Sequence, residues 1–181
     1  MKDILPASVD LAKVDLWFQD ESRVGQQGSI SRVWHYRGER PRLVRQQQFE
    51  YSYIYGAICP ARRACCGLVL PRANSEGMRL HLREISAQVP EGHHAVVIVD
   101  GAGWHQTSLN LPNVSLLKLP PYSPELNPME QVWQWLKQHY LSNRCFKDYT
   151  EIVDACCMAW NQFAKRTQLI QSIGTRKWAT C

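Results

Sequence analysis

The stretch from Leu119 to Lys137, LPPYSPELNPMEQVWQWLK, constrains this chain more than any other. Pro120, Pro121 and Pro124 fix φ and push the residues before them out of the helical region. The run from Lys118 to Asn127 is therefore expected to be an extended, stiff connector. A helix then starts abruptly: Asn127 suits an N-cap, Pro128 the first helical position, and Glu130 falls three residues after the cap. Val132, Trp133, Leu136 and Tyr140 recur at helical spacing as one buried stripe, with Gln131, Gln134 and Gln138 off it. Glu130 borders that stripe and has two readings. It is either the far member of a capping box, reaching back to the Asn127 N–H, or a carboxylate held for chemistry at the edge of a sheet.

The 181 residues and 45% hydrophobic content fit one globular domain with a substantial core, spanning 1–181. No apolar run approaches the roughly 20 residues of a membrane span, and the opening MKDILPASVDLAK carries acids and a proline where a signal peptide is apolar. A cytoplasmic location and no membrane partner are expected. The seven cysteines include adjacent pairs but no CxxC, which excludes a zinc ribbon and favours buried free thiols. The net charge is +5, in the direction of a nucleic-acid partner.

Along the chain, VDLWFQ (Val14 to Gln19) reads as a first strand that ends at Asp20 and Glu21. Ser29–Tyr36 and Arg42–Gln48 flank the turn RGERP, predicting an antiparallel hairpin that carries Arg32, Arg37, Arg40, Arg42 and Arg45. EYSYIYGAIC and Cys66–Leu70 predict two further strands. Asn74 or Ser75 caps a helix with Met78, Leu82, Ile85 and Val89 on its buried face. Ala95–Val99 is a continuously apolar central strand that ends at Asp100. Val114–Leu119 is the next strand, and a helix capped by Asp148 or Thr150 buries Ile152, Cys156, Ala159 and Phe163. His93 and His94 are expected at the surface. Nothing after Thr167 carries a signal. Strands first and alternation later predict an α/β mixed sheet, three antiparallel strands followed by two parallel ones, with helices on both faces.

Asp20, Asp100 and Glu130 stand out together. If the first strand and the Asp100 strand are parallel neighbours, their carboxylates sit side by side, and the proline brace can bring Glu130 over the same edge. Carboxylates so crowded repel and take up protons unless a cation joins them. Mg²⁺ accepts a few carboxylates at about 2.0–2.1 Å and keeps waters and phosphate oxygens as further ligands. Two such ions about 3.5–4 Å apart suit in-line phosphoryl displacement.

The segments WFQDES, VIVDGAGWH and LPPYSPELNPMEQVW closely resemble the DDE transposases of the mariner-like superfamily, in particular its bacterial insertion-sequence branch. RVWHYRGERP is similar to the segment found there after the first aspartate. The resemblance covers Val14 to Phe163. It implies an RNase H-like fold, a catalytic and metal-binding triad of Asp20, Asp100 and Glu130, and two Mg²⁺ ions, with Mn²⁺ able to substitute. The implied reaction is DNA cleavage at transposon ends followed by strand transfer. It further implies DNA as partner, a homodimer in the active complex, and DNA contacts from Arg32, Arg37, Arg40, Arg42, Arg45 and His105. With the resemblance in hand, the catalytic reading of Glu130 is preferred to the capping box. Glu21, on the opposite side of the strand, is not expected to be a ligand.

Two features depart from the family pattern. Gly101 stands where an asparagine usually follows the second aspartate. The helix-turn-helix region that reads transposon ends in the family is expected to be absent from 1–181: encoded in a separate reading frame, lost by truncation, or joined by frameshifting. Two alternatives stay open at this point: an inactive remnant that only binds DNA or a partner, and an RNase H-like nuclease without transposition.

Overall fold

The computed structural model describes residues 5–6, 9–28, 30–39, 41–101, 111–121 and 123–175. Five strands form one sheet in the order β3-β2-β1-β4-β5. They are β1 (Val14–Gly25), β2 (Tyr51–Cys59), β3 (Ala64–Leu70), β4 (His94–Val99) and β5 (Val114–Lys118). The first three pair antiparallel, and β4 and β5 join β1 in parallel. This is the expected mixed sheet.

Alternation along the strands feeds two cores. On one face Trp17, Tyr55, Ala57 and Val97 pack under α1 (Ser75–Gln88), which contributes Met78, Leu82 and Ile85. Phe18, Ile54, Ile58 and Ile98 face the other way. They pack under α2 (Met129–Leu136), α3 (Tyr149–Ala164) and α4 (Thr167–Gly174). Three asparagine or aspartate side chains start helices: Asn74 accepts from Gly77 N–H at 2.8 Å, Asp148 from Glu151 N–H at 3.0 Å, and Asn127 from Met129 N–H at 3.1 Å.

Several expectations need correction. β1 does not stop at Gln19. Its first half pairs with β4 from Val14 to Phe18, and the strand then continues on β2 alone as far as Gly25 opposite Tyr51. Asp20 is thus mid-strand, just beyond the last β4 rung. The arginine-bearing hairpin is absent: the described residues of 30–50 pair with no strand. Only its turn survives, with Glu39 N–H bonded to the Tyr36 carbonyl at 3.2 Å and Gly38 at φ 92°. The excursion is held instead by the loop after α2. Asn143 bonds both backbone groups of Ser31 at 3.0 Å, and Gln46 both donates to the Phe146 carbonyl at 2.8 Å and accepts its N–H at 2.7 Å. The described residues of the two arms do not pair with each other; side chains on each side of the contact tie them to the 143–146 loop instead.

The proline connector is not extended throughout. Pro124–Leu126 forms one 3-10 turn, and α2 starts at Met129, after Pro128. Beyond α2 the helix widens into a π turn, Lys137–Leu141. The silent end of the chain holds α4, where Ile170 is buried and Gly174 lies so close to Pro60 that a Cβ would meet its Cγ at 2.2 Å. His94 is buried rather than superficial, with its ring bonded to Ser115 Oγ at 2.9 Å across the β4–β5 pair, and His93 faces Asp15 at 3.3 Å. The described cysteines are free thiols: Cys59, Cys66 and Cys156 are buried, whereas Cys145 and Cys157 are exposed.

Candidate active site

The β1–β4 pairing ends where Phe18 meets Ile98; Asp20 follows two residues later within β1, and Asp100 two residues later where the chain leaves β4. By strand alternation Asp20 lies on the Phe18 face, the one α2 covers. The sequence expects these two carboxylates side by side beyond the last shared rung.

Glu130 is the second residue of α2 and is exposed. Among the described residues it takes no hydrogen bond from the Asn127 backbone, so the capping box does not form. Asn127 does two other things. Its Oδ1 caps the Met129 N–H, and its Nδ2 donates to the Gln19 carbonyl at 2.9 Å. That carbonyl lies past the last β1–β4 rung, and the side chain supplies the partner β4 no longer offers. The start of α2 is thereby tied to β1 one residue from Asp20.

One turn beyond Glu130, the Trp133 indole N–H donates to Asp20 Oδ2 at 2.7 Å. The ring reaches Asp20 because the sheet is cut away beneath it. Asp20 pairs with Gly56, and Gly56 with Gly67. A Cβ on Gly56 would meet the Trp133 ring at 2.5 Å and Trp160 at 2.7 Å, and one on Gly67 would meet Trp160 at 2.4 Å. The two glycines form a trough in which both indoles lie, with ring centres 6.1 Å apart.

Burial pushes the Asp20 carboxyl up from 3.8 to about 7; the Trp133 bond opposes the rise, and the nearby Glu21 and Glu130 charges add to it. The influence of Glu130 places it within electrostatic reach of Asp20. Glu21 accepts from Gln19 Nε2 at 3.0 Å and acts electrostatically on Tyr55 and His81, residues on the α1 side, in accord with its expected direction. Among the described residues no three His, Cys, Asp or Glu side chains already converge as a complete metal cage. Asp20 thus offers carboxylate oxygens whose proton affinity is raised chiefly by burial, a condition that a nearby divalent cation would relieve.

The arginines are not gathered into one patch. Arg32 lines a cleft of about 880 Å³ that Glu130 and Trp133 also line. Arg45 lines a separate 30 Å³ cleft with Asn143 and Arg144, and Arg37 and Arg42 are exposed along the excursion. Arg40 and His105 lie outside the described residues. Sequence reasoning missed the Trp133 bond, the Asn127 tie and the Gly56–Gly67 trough. The one available signal was a glycine inside an aromatic strand, which marks close approach of another group.

Known proteins give the site its context. The family described as DDE superfamily endonuclease matches residues 15–153. The uncharacterized protein y4pE/y4sA of Sinorhizobium fredii is 52% identical over 131 residues, covering 71% of this chain and 97% of that protein. Among solved structures, the Mos1 strand transfer complex superposes with a TM-score of 0.56 at 13% identity, over 90% of this chain and 55% of the Mos1 chain. The Mos1 mariner paired-end complex with Mn gives 0.56 at 15% identity, again over 90% of this chain and 56% of that one. This chain therefore spans about half the length of the Mos1 chain, and what the two share at such identity is the fold. By its sequence the chain belongs to the DDE superfamily endonuclease family, and it has the RNase H-like fold of the mariner-type catalytic domain.

Proposed function

We propose that this chain is the catalytic domain of a transposase that cleaves DNA at transposon ends and joins the freed strand to target DNA, using divalent metal. The observation that carries this reading is Asp20, held by Trp133 of α2 and acted on by the Glu130 charge, with Asp100 closing the neighbouring strand two residues past the last β1–β4 rung. Family membership adds endonuclease chemistry, and the Mos1 complexes named for Mn and for Mg add the class of ion.

Asp20, Asp100 and Glu130 would hold the ions. Bound there, two Mg²⁺ or Mn²⁺ ions supply a lowered pKa for water or a 3′-hydroxyl and neutralise charge on the leaving oxygen. The chain's own residues do the rest. Trp133 holds Oδ2 of Asp20 and so orients its carboxylate. Asn127 fixes the start of α2, and with it the height of Glu130 over the sheet. In this reading two copies act on paired ends.

Purified protein incubated with DNA from the ends of its own element should nick it only when Mg²⁺ or Mn²⁺ is present. Asp20→Ala, Asp100→Ala and Glu130→Ala should each bring nicking to background while the thermal melt stays cooperative. Nicking that survives any one of them removes that residue from the triad. A remnant that binds DNA without chemistry is the second reading, favoured by the lack of a complete three-ligand cage among the described residues. Calorimetric titration with Mn²⁺ separates the two, because a remnant gives no saturable heat that depends on Asp20.

A further inference from the structure

Seen from Glu130, the 880 Å³ cleft runs between two dissimilar walls. One is the outer side of α2 and its π turn, which presents the amides of Gln134 and Gln138 and the ammonium of Lys137. The other is the stretch from Ile30 to Trp34, bearing Arg32. Among the described tryptophans, Trp17, Trp133 and Trp160 are buried and Trp135 is partly buried, whereas Trp34 has a relative exposure of 103%. An indole left wholly in water costs hydrophobic free energy unless a partner covers it.

Trp34 is also held in place. Asn143, itself left-handed at φ 59°, bonds the Ser31 N–H, carbonyl and hydroxyl at 3.0, 3.0 and 3.2 Å, three residues before the ring. The far side of the excursion is tied by Gln46 to Phe146. The wall is therefore anchored at both ends, opposite a rigid helix.

We infer that this cleft seats an unpaired nucleotide of the DNA strand next to the carboxylates, its base stacked on Trp34 and its phosphates facing Arg32 and Lys137. The inference rests on the proposed function for its substrate class and adds a subsite to it. The chemistry of the walls selects the occupant. Cations stand on both sides and suit phosphate oxygens, the two glutamines offer donors and acceptors that match a base edge, and the aromatic face suits any base. A paired base keeps its faces inside the duplex stack, so only an unpaired one can use the ring. The volume lies within the range of ligand clefts, about 300–1,000 Å³.

The test is fluorescence anisotropy with a short fluorescein-labelled oligodeoxythymidylate in EDTA, against the same strand paired with its complement. Trp34→Ala should weaken single-strand binding about tenfold and leave duplex binding unchanged, and Trp34→Phe should retain most of the affinity. Trp34→Ala should keep the dependence of affinity on salt, whereas Arg32→Ala should lower that slope by about one. The ring is wholly exposed, so both variants fold, as circular dichroism will show. Equal single-strand affinity for wild type and Trp34→Ala overturns the inference. So does a loss of affinity that merely follows dissociation of a multimer in sedimentation velocity, since the ring would then be a protein contact. Because binding is read without metal, the two readings fail separately. Normal binding by Trp34→Ala beside inactive Asp20→Ala removes the seat alone, and tenfold weaker binding beside active carboxylate variants removes the catalytic triad alone.

Discussion

Neighbouring residues of the same strands build the two faces of the sheet, Trp17, Tyr55 and Val97 on one and Phe18, Ile54 and Ile98 on the other, yet the faces treat polar groups differently. Under α1 Tyr55 is satisfied locally and His81 is kept neutral. Tyr55 Oη takes the Asn74 N–H at 2.8 Å and donates to the Arg72 carbonyl at 3.1 Å. Burial holds His81 down at about 4, so it carries no charge near neutral pH. Under α2 the sheet gives up two side chains, at Gly56 and Gly67, and the space admits an indole that grips a partly buried carboxylate. The α1 face buries an uncharged histidine, whereas the α2 face holds a carboxyl whose charged form its own burial opposes.

The sharpest way to break this contrast is a pair of variants. Asp20→Asn keeps an oxygen for the Trp133 N–H and removes the opposed charge. It should take nicking to background while metal-free protein at pH 8 melts no lower than wild type. Leu82→Ala, fully buried under α1, should cost about 2–5 kcal/mol in denaturant titration through lost apolar contact and a cavity. The nicking rate of its folded fraction should be unchanged. A clear loss of stability in Asp20→Asn would mean that the carboxylate is structural and that the faces do not differ in kind.

Titration sharpens the contrast further, because the faces should respond to pH in opposite senses. Between about 3.8 and 7 the folded chain keeps a proton on Asp20 that the unfolded chain has released, so stability falls as pH rises through this window. Between about 4 and 6.5 the unfolded chain protonates His81 and the folded chain does not, so stability rises with pH. Each slope reaches at most about 1.4 kcal/mol per pH unit. In metal-free wild type the two largely offset each other up to about pH 6.5. Urea titrations across this range should show a rising profile for Asp20→Asn and a falling one for His81→Leu. Parallel profiles for the two variants would place the titrating groups elsewhere.

The α1 face was the more legible in sequence. Met78, Leu82 and Ile85 announce their helix by spacing, and Asn74 announces its start, because local periodicity and local capping decide both. Asp100 was legible for a similar reason, at the end of an apolar run covered on both sides. The α2 face depends on partners far along the chain. Trp133 reads as one more buried aromatic until Asp20, 113 positions away, is known to accept its N–H. The Arg32–Arg45 excursion alternates like a strand, but its hydrogen bonds go to Asn143 and Phe146 about 100 positions on. The eight residues of α4 give too short a period to register, and its docking on Pro60 is tertiary. His94 lacked a readable partner because Ser115 belongs to the next strand.

The smallest effect belongs to two asparagines that do the same job on opposite faces. Asn74 caps α1 and gives its N–H to Tyr55; Asn127 caps α2 and reaches the Gln19 carbonyl. Replacing Asn74 by alanine removes its cap but keeps the backbone N–H bond to Tyr55, whereas Asn127→Ala removes both the cap and the tie to Gln19; the lost cap should cost about 1 kcal/mol in each, read as a shift of the denaturation midpoint. Their effects on nicking should diverge. α1 carries none of the three acids, so Asn74→Ala should nick as wild type does. Asn127 sets where Glu130 stands relative to Asp20, and a displacement approaching an ångström there lowers the rate on the order of a hundredfold. Asn127→Asp adds a finer cut, since it keeps the oxygen for the Met129 N–H but turns an acceptor toward the Gln19 carbonyl. Its rate should resemble that of the alanine variant although the cap is intact, which assigns the loss to the tie and not to the helix start. Equal nicking by Asn74→Ala and Asn127→Ala would mean that the height of α2 over β1 has no part in the chemistry.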